Sequence, residues 1–154
     1  MTIQLEMDDA GKALLLTIRN SIQEVYDTLG KGFPENVYQK ALGVEFQAQN
    51  MKYDMEVTMS IPYKNHIVGQ VRADIIIRGH NPVVIETKAT AAALKIEERW
   101  QLSRYLKILE IPLGVLVNFP QVANAKEAQV EFLILTEDEI LLWNIDTNEG
   151  TPLT

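Results

Sequence analysis

The chain has 154 residues, 14 Lys and Arg against 21 Asp and Glu, no Cys and a formal net charge of −7. That length suits one domain, and 47% hydrophobic content suffices for a proper core. The lack of Cys excludes disulfides and thiolate metal sites, so a metal would have to sit on carboxylates, carbonyls, waters or the two His residues. No apolar run approaches the roughly 20 residues of a membrane span. The opening MTIQLEMDDA has no basic n-region, so an intracellular protein without a signal peptide is expected.

Leu15, Ile18, Ile22, Val25 and Leu29 recur at helical spacing and predict a helix over 11–29, stopped by Gly30-Lys31-Gly32. Pro34 opens a second helix to about Asn50. Its main apolar row is expected to be Val37, Ala41, Val44 and Ala48, with Glu35, Tyr38 and Leu42 beside it. From Tyr53 the period falls to two, with Val57, Met59 and Ile61 alternating in a strand, and Pro62 to Asn65 reads as a turn. Strands follow over 67–78 and 82–88, joined by Gly79-His80-Asn81. A helix over 95–109 carries Leu102, Leu106 and Leu109 on one row and closes at Pro112. Leu113–Asn118 reads as a buried strand, and 130–135 and 140–145 as two more. The order α-α-β-β-β-α-β-β-β predicts one α+β (mixed α/β) domain over 1–154 around a central sheet.

The acidic excess is local. Residues 127–154 hold Glu127, Glu131, Glu137, Asp138, Glu139, Asp146 and Glu149 and no base, leaving 14 acids and 14 bases in the first 126 residues. The objection that phosphate contacts need Lys and Arg therefore bears mainly on the C-terminal segment.

The informative segment is Arg72-Ala73-Asp74-Ile75-Ile76-Ile77, a turn, then Val83-Val84-Ile85-Glu86-Thr87-Lys88. With 79–81 as the loop, Asp74 falls opposite Glu86 and Arg72 opposite Lys88, all four on one face. Opposed Cβ atoms lie about 4.5–5.5 Å apart, so two carboxylates there repel unless a divalent cation lies between them. Hard oxygen ligands favour Mg²⁺ or Mn²⁺, and Lys88 would project beside the ion. The competing reading is an ordinary solvated sheet face, although the near-continuous apolar strands around these residues argue for cover on both faces. Glu35 lies in the first turn of the second helix, where capping alone could account for it. Gln101 lies on the row Glu98, Gln101, Tyr105 and Ile108, at the edge of the buried stripe. His66 and His80 read as solvated turn residues, and Trp100 and Trp143 as packing residues.

These motifs resemble a family. Gly32-Phe33-Pro34-Glu35-Asn36-Val37-Tyr38 is similar to the pattern that names the GxxExxY proteins, and Ala41-Leu42 with Glu45 continues it. Arg72-Ala73-Asp74, Ile85-Glu86-Thr87-Lys88-Ala89, Gln101-Leu102-x-x-Tyr105-Leu106 and Val117-Asn118-Phe119 follow in the family's order, over roughly 12–120. The family looks like a branch of the PD-(D/E)XK nuclease superfamily, whose restriction-endonuclease-like core runs α-β-β-β-α-β. The resemblance implies Asp74 and Glu86 as metal carboxylates and Thr87 as a backbone-carbonyl ligand. It implies Lys88 as the catalytic lysine, Glu35 as the helix acid (acting on the metal through water) and Gln101 as the helix glutamine. One departure is Glu98, where the family often has His; it is expected to add negative charge near the metal. The function implied is Mg²⁺- or Mn²⁺-dependent hydrolysis of nucleic acid, DNA ahead of RNA. Two alternatives stand beside it. One is a non-catalytic nuclease-fold module binding nucleic acid or protein. The other is a homodimer built by sheet continuation at the acidic strands of 127–154.

Overall fold

The computed structural model describes residues 3–4, 7–137 and 139–153. Its elements are β1 (Ile3–Gln4), α1 (Asp9–Leu29), α2 (Glu35–Ala48), β2 (Tyr53–Tyr63), β3 (His66–Ile77), β4 (Val83–Lys88), α3 (Ile96–Leu109), β5 (Leu113–Asn118), β6 (Gln129–Leu135), β7 (Ile140–Asn144) and β8 (Glu149–Pro152). The expected order is present, with a short strand added at each end. All eight strands form one sheet in the order β1-β8-β7-β6-β5-β4-β3-β2. Among the described residues only β4 and β5 run parallel, with α3 as their crossover.

Asp8 caps α1 by accepting the Gly11 N–H, and Gly30, at φ +66, ends it by donating its N–H to Tyr26. Leu15, Ile18, Ile22 and Val25 face the sheet as their spacing predicts. In α2 the buried face differs from the expected one. Tyr38, Leu42 and Phe46 are fully buried, whereas Val44 is 66% exposed. The larger side chains remove more apolar area from water, so they take the inner face.

The helices cover both faces. Ile75, Ile77, Val83, Ile85, Val115 and Val117 pack with α1 and α2 in one core, while Ile76, Val84 and Leu116 pack with Leu102, Tyr105 and Leu106 of α3 in the other. β6 and β7 extend both layers, Phe132, Ile134 and Trp143 entering the first and Leu133 and Ile140 the second. β7 lies between β6 and β8, so neither β6 nor β7 offers the exposed edge that sheet continuation at these strands would need. Asp138 lies outside the described residues.

Pro62 is not a turn residue. The β2–β3 hairpin runs on to Tyr63 and His66, with a register shift between Ile61 and Pro62, and turns on Lys64 and Asn65 at φ 47 and 67. Both central residues at positive φ make a turn of the primed kind, which suits the twist of the strands.

Candidate nuclease site

The β3/β4 ladder carries three pairs, Ile75–Ile85, Ile76–Val84 and Ile77–Val83. This is the register expected from the sequence. Beyond Ile75 the ladder stops, and two carboxylates bridge the strands instead. Glu86 Oε1 accepts the Asp74 N–H at 2.9 Å, and Asp74 Oδ2 accepts the Thr87 N–H at 2.8 Å and the Thr87 hydroxyl at 3.1 Å. Arg72 and Lys88 are not paired across this junction: Arg72 pairs with Thr58 of β2, and Lys88 with Asn118 of β5.

An irregularity in the neighbouring pair, without a change of register, re-aims Asp74. Ile75 and Ile77 face α1 and α2, but Ala73 faces α3, which regular alternation forbids. Met55 and Val57 of β2 divide in the same way. Between them Glu56 stands at φ 53, and the β2/β3 ladder skips the Glu56/Asp74 position. Such irregularities bend a strand and redirect a side chain.

α2 reaches the junction through Gln39, which is buried. Its Nε2 donates to Thr87 Oγ1 at 2.9 Å and to Glu35 Oε1 at 3.2 Å. Burial, and then the Asp74 carboxylate, raise the Glu35 pKa, and Lys88 partly offsets this. Sequence reasoning missed Gln39, although its position one turn after Glu35 was a signal. The loop ahead of α2 is pinned as well. Tyr38 donates its hydroxyl to the Gly30 carbonyl at 2.7 Å, and its ring stacks on Phe119 at 4.4 Å. Gly32, at φ +110, donates its N–H to Gln121.

From the other face, Tyr105 is buried against the acid pair. Its pKa is raised by burial and then by Glu86, and its hydroxyl accepts from Gln101 Nε2 at 3.1 Å. Gln101 therefore joins the cluster through Tyr105. Glu98, where the family often has His, uses its Oε2 to accept the Lys95 N–H at 2.6 Å, closing the first turn of α3. Trp100 is 40% exposed rather than packed, while Trp143 is core and donates to Asn148. His66 and His80 are exposed. Asn118, fully buried, also went unassigned. Its amide accepts from Thr90 N and donates to the Thr90 and Ala92 carbonyls, holding down the segment after Lys88.

Glu86 is 5% exposed, and burial followed by the Asp74 charge pushes its pKa up to about 8. Without a cation, one carboxyl of the pair holds a proton at neutral pH. Each carboxylate commits one oxygen to backbone N–H groups, while Asp74 Oδ1 and Glu86 Oε2 accept no N–H bond among the described residues. Among those residues no three His, Asp or Glu side chains gather into a ready metal cage. Two carboxylates with a carbonyl and waters are nevertheless a donor set that suits Mg²⁺, which keeps several waters and takes one or two carboxylates. The residues present fit such an ion. A concavity lined by Arg19, Phe132, Trp143 and Asp146 lies on the far half of the sheet and includes none of them.

A mixed sheet covered on both faces, with an acid pair and a lysine where β3 and β4 part, has the architecture of restriction-endonuclease-like folds. The model of the PD-(D/E)XK nuclease superfamily matches residues 12–131, and the chain belongs to that superfamily. The solved structure titled "Crystal structure of SSO0001" is similar in fold, with a TM-score of 0.51 and 17% identity over 94% of this chain and 73% of that one. No curated protein is significantly similar to the chain.

Proposed function

We propose that the protein is a Mg²⁺- or Mn²⁺-dependent nuclease that hydrolyses phosphodiester bonds, in DNA ahead of RNA. The observation that carries this reading is the reciprocal bonding of Asp74 and Glu86, which locks two acids, one of them buried, at a single point. A structural role alone would be met at lower cost by continuing the ladder, because a buried carboxylate beside another is unfavourable. Asp74, Glu86 and the Thr87 carbonyl would hold the ion, with Glu35 acting on it through water. When bound, the ion would supply charge neutralisation at the phosphate and a more acidic water. Lys88 would stabilise charge on the phosphate or orient the attacking water, while Gln39 fixes Glu35 and Thr87. Gln101 and Tyr105 would border the substrate from α3. The narrower kinship with GxxExxY proteins draws support from the physical uses of Gly32, Glu35 and Tyr38 in the pinned loop and first turn of α2.

The competing reading is a nuclease-fold module that binds nucleic acid or protein without turnover, alone or as a homodimer. The base-free 127–154 segment favours it. Two experiments separate the readings. Wild type should cleave DNA with Mg²⁺ or Mn²⁺, and Asp74→Asn should lose roughly 10³-fold or more, as expected when electrostatic stabilisation of the transition state is removed. Calorimetric titration with Mn²⁺ should give binding in wild type and none in Asp74→Asn. Metal binding absent from wild type, with no cleavage of any DNA or RNA form, rejects the hydrolytic reading.

A further inference from the structure

β3 is twelve residues long, but only its last three pair with β4. β2, its other neighbour, is the edge of the sheet. Residues 57–73 therefore form a two-stranded ribbon with no third strand among the described residues. Its root is anchored, because Met59 and Ala73 are buried against the α3 core, with Val57 and Val71 packed beside them. Its tip is not: Tyr63, Ile67 and Val68 are 59%, 63% and 60% exposed. The ribbon rises directly from Asp74, so it flanks the acid pair.

Beyond Glu56 and Asp74 at its root, its charge is opposite in sense to that of the chain as a whole. In a chain of net charge −7, residues 57–73 contain Lys64, Arg72 and His66 and no Asp or Glu. Lys64 lies over the Tyr63 ring at 5.4 Å, so cation and aromatic share the tip. The acidic strands β6 to β8 lie across the sheet from the ribbon.

We infer that this ribbon is an arm that grips duplex DNA in the major groove beside the cleavage site. The inference rests on the nuclease reading and specifies its substrate. A two-stranded ribbon fits the major groove of B-form DNA, whereas the deep, narrow major groove of A-form RNA excludes it. Lys64 and Arg72 meet phosphates, and the apolar tip meets base edges, where thymine methyl groups are exposed. Ten residues from Asp74 to Lys64 reach about 30 Å, so the duplex is held up to roughly nine base pairs from the acids.

The test is fluorescence anisotropy in EDTA with duplex DNA and duplex RNA of one sequence. It uses wild type, Lys64→Glu/Arg72→Glu and Tyr63→Ser/Ile67→Ser/Val68→Ser, each also titrated with Mn²⁺ by calorimetry and sized by light scattering. Wild type should prefer duplex DNA. The charge variant should bind it about tenfold or more weakly, with the slope of log K against log salt reduced by about 2. The tip variant should weaken DNA binding with the slope unchanged, and both variants should bind Mn²⁺ as wild type does. Equal DNA affinity in all three proteins, or equal grip on duplex RNA, overturns the arm. A wild-type dimer that the tip variant splits into monomers also overturns it, by making the ribbon a self-association surface. Failure of the arm with Mn²⁺ binding and cleavage intact leaves the nuclease reading standing; failure of all three removes both.

Discussion

The two halves of the sheet follow different rules. β6, β7 and β8 pair in unbroken register, bury Phe132, Leu133, Ile134 and Trp143, and place Glu131 in an ion pair with Arg99. β2, β3 and β4 break their own ladders. Glu56 takes a left-handed φ, β3 changes phase at Asp74, and Glu86 is buried beside another acid. Departures from locally favourable structure gather at functional sites in proteins generally, which is what makes the irregular half the candidate here, and regular packing elsewhere holds it in place.

The sharpest way to break this comparison is to damage the regular half. Trp143→Ala should cost about 3–5 kcal/mol of stability, as expected for a buried aromatic. It should leave cleavage per folded molecule unchanged, measured below the variant's melting temperature. A specific loss of turnover would mean that the two halves are not separable.

The irregular half should behave in the opposite sense. Glu86 is the clearest case because its folded pKa, about 8, lies above the ordinary carboxylate range. Between those two values the folded state binds the extra proton, so metal-free stability should fall as pH rises through that window and level off above it. Glu86→Gln has no proton to lose. Its melting temperature in EDTA should exceed that of wild type by a margin that grows from pH 5 to pH 8.5, reaching roughly 5 °C or more. The same variant should not cleave. Saturating Mn²⁺ should close the gap from the wild-type side.

Gln39→Ala should do less. It removes the donor shared by Thr87 and Glu35 and should cost about 1–3 kcal/mol by urea denaturation. Turnover should fall about tenfold, with Mn²⁺ affinity nearly unchanged if Glu35 acts through water. The smallest effect is expected at the Arg99–Glu131 pair, which ties α3 to β6 through two bonds of 2.7 and 2.8 Å. Glu131→Gln should cost about 1 kcal/mol, and less at high salt.

Much of this was legible in the sequence, for identifiable reasons. The apolar runs Val83 to Ile85 and Leu113 to Val117 announced strands covered on both faces, and the row from Leu15 to Val25 announced α1. The β3/β4 register that brings Asp74 and Glu86 to neighbouring positions followed from counting across a short loop. What escaped depends on partners distant in the chain. Gln39 finds Thr87 48 residues away, and Asp74 is re-aimed by Glu56 on another strand. β1 and β8, with two and four residues, are too short to carry a period. The inner face of α2 was misread because two apolar rows competed, and bulk rather than count decided between them.

Asn118 has a consequence for how such a protein could change. It fastens Thr90 and Ala92 to the end of β5, so residues 90–93 stay exposed and small just past Lys88. Three of these four residues are alanine, so the stretch beside the lysine presents little side-chain bulk. Bulkier residues there would build outward into solvent without entering either core layer, so under the nuclease reading the surface beside Lys88 is free to vary while the acid pair stays in place.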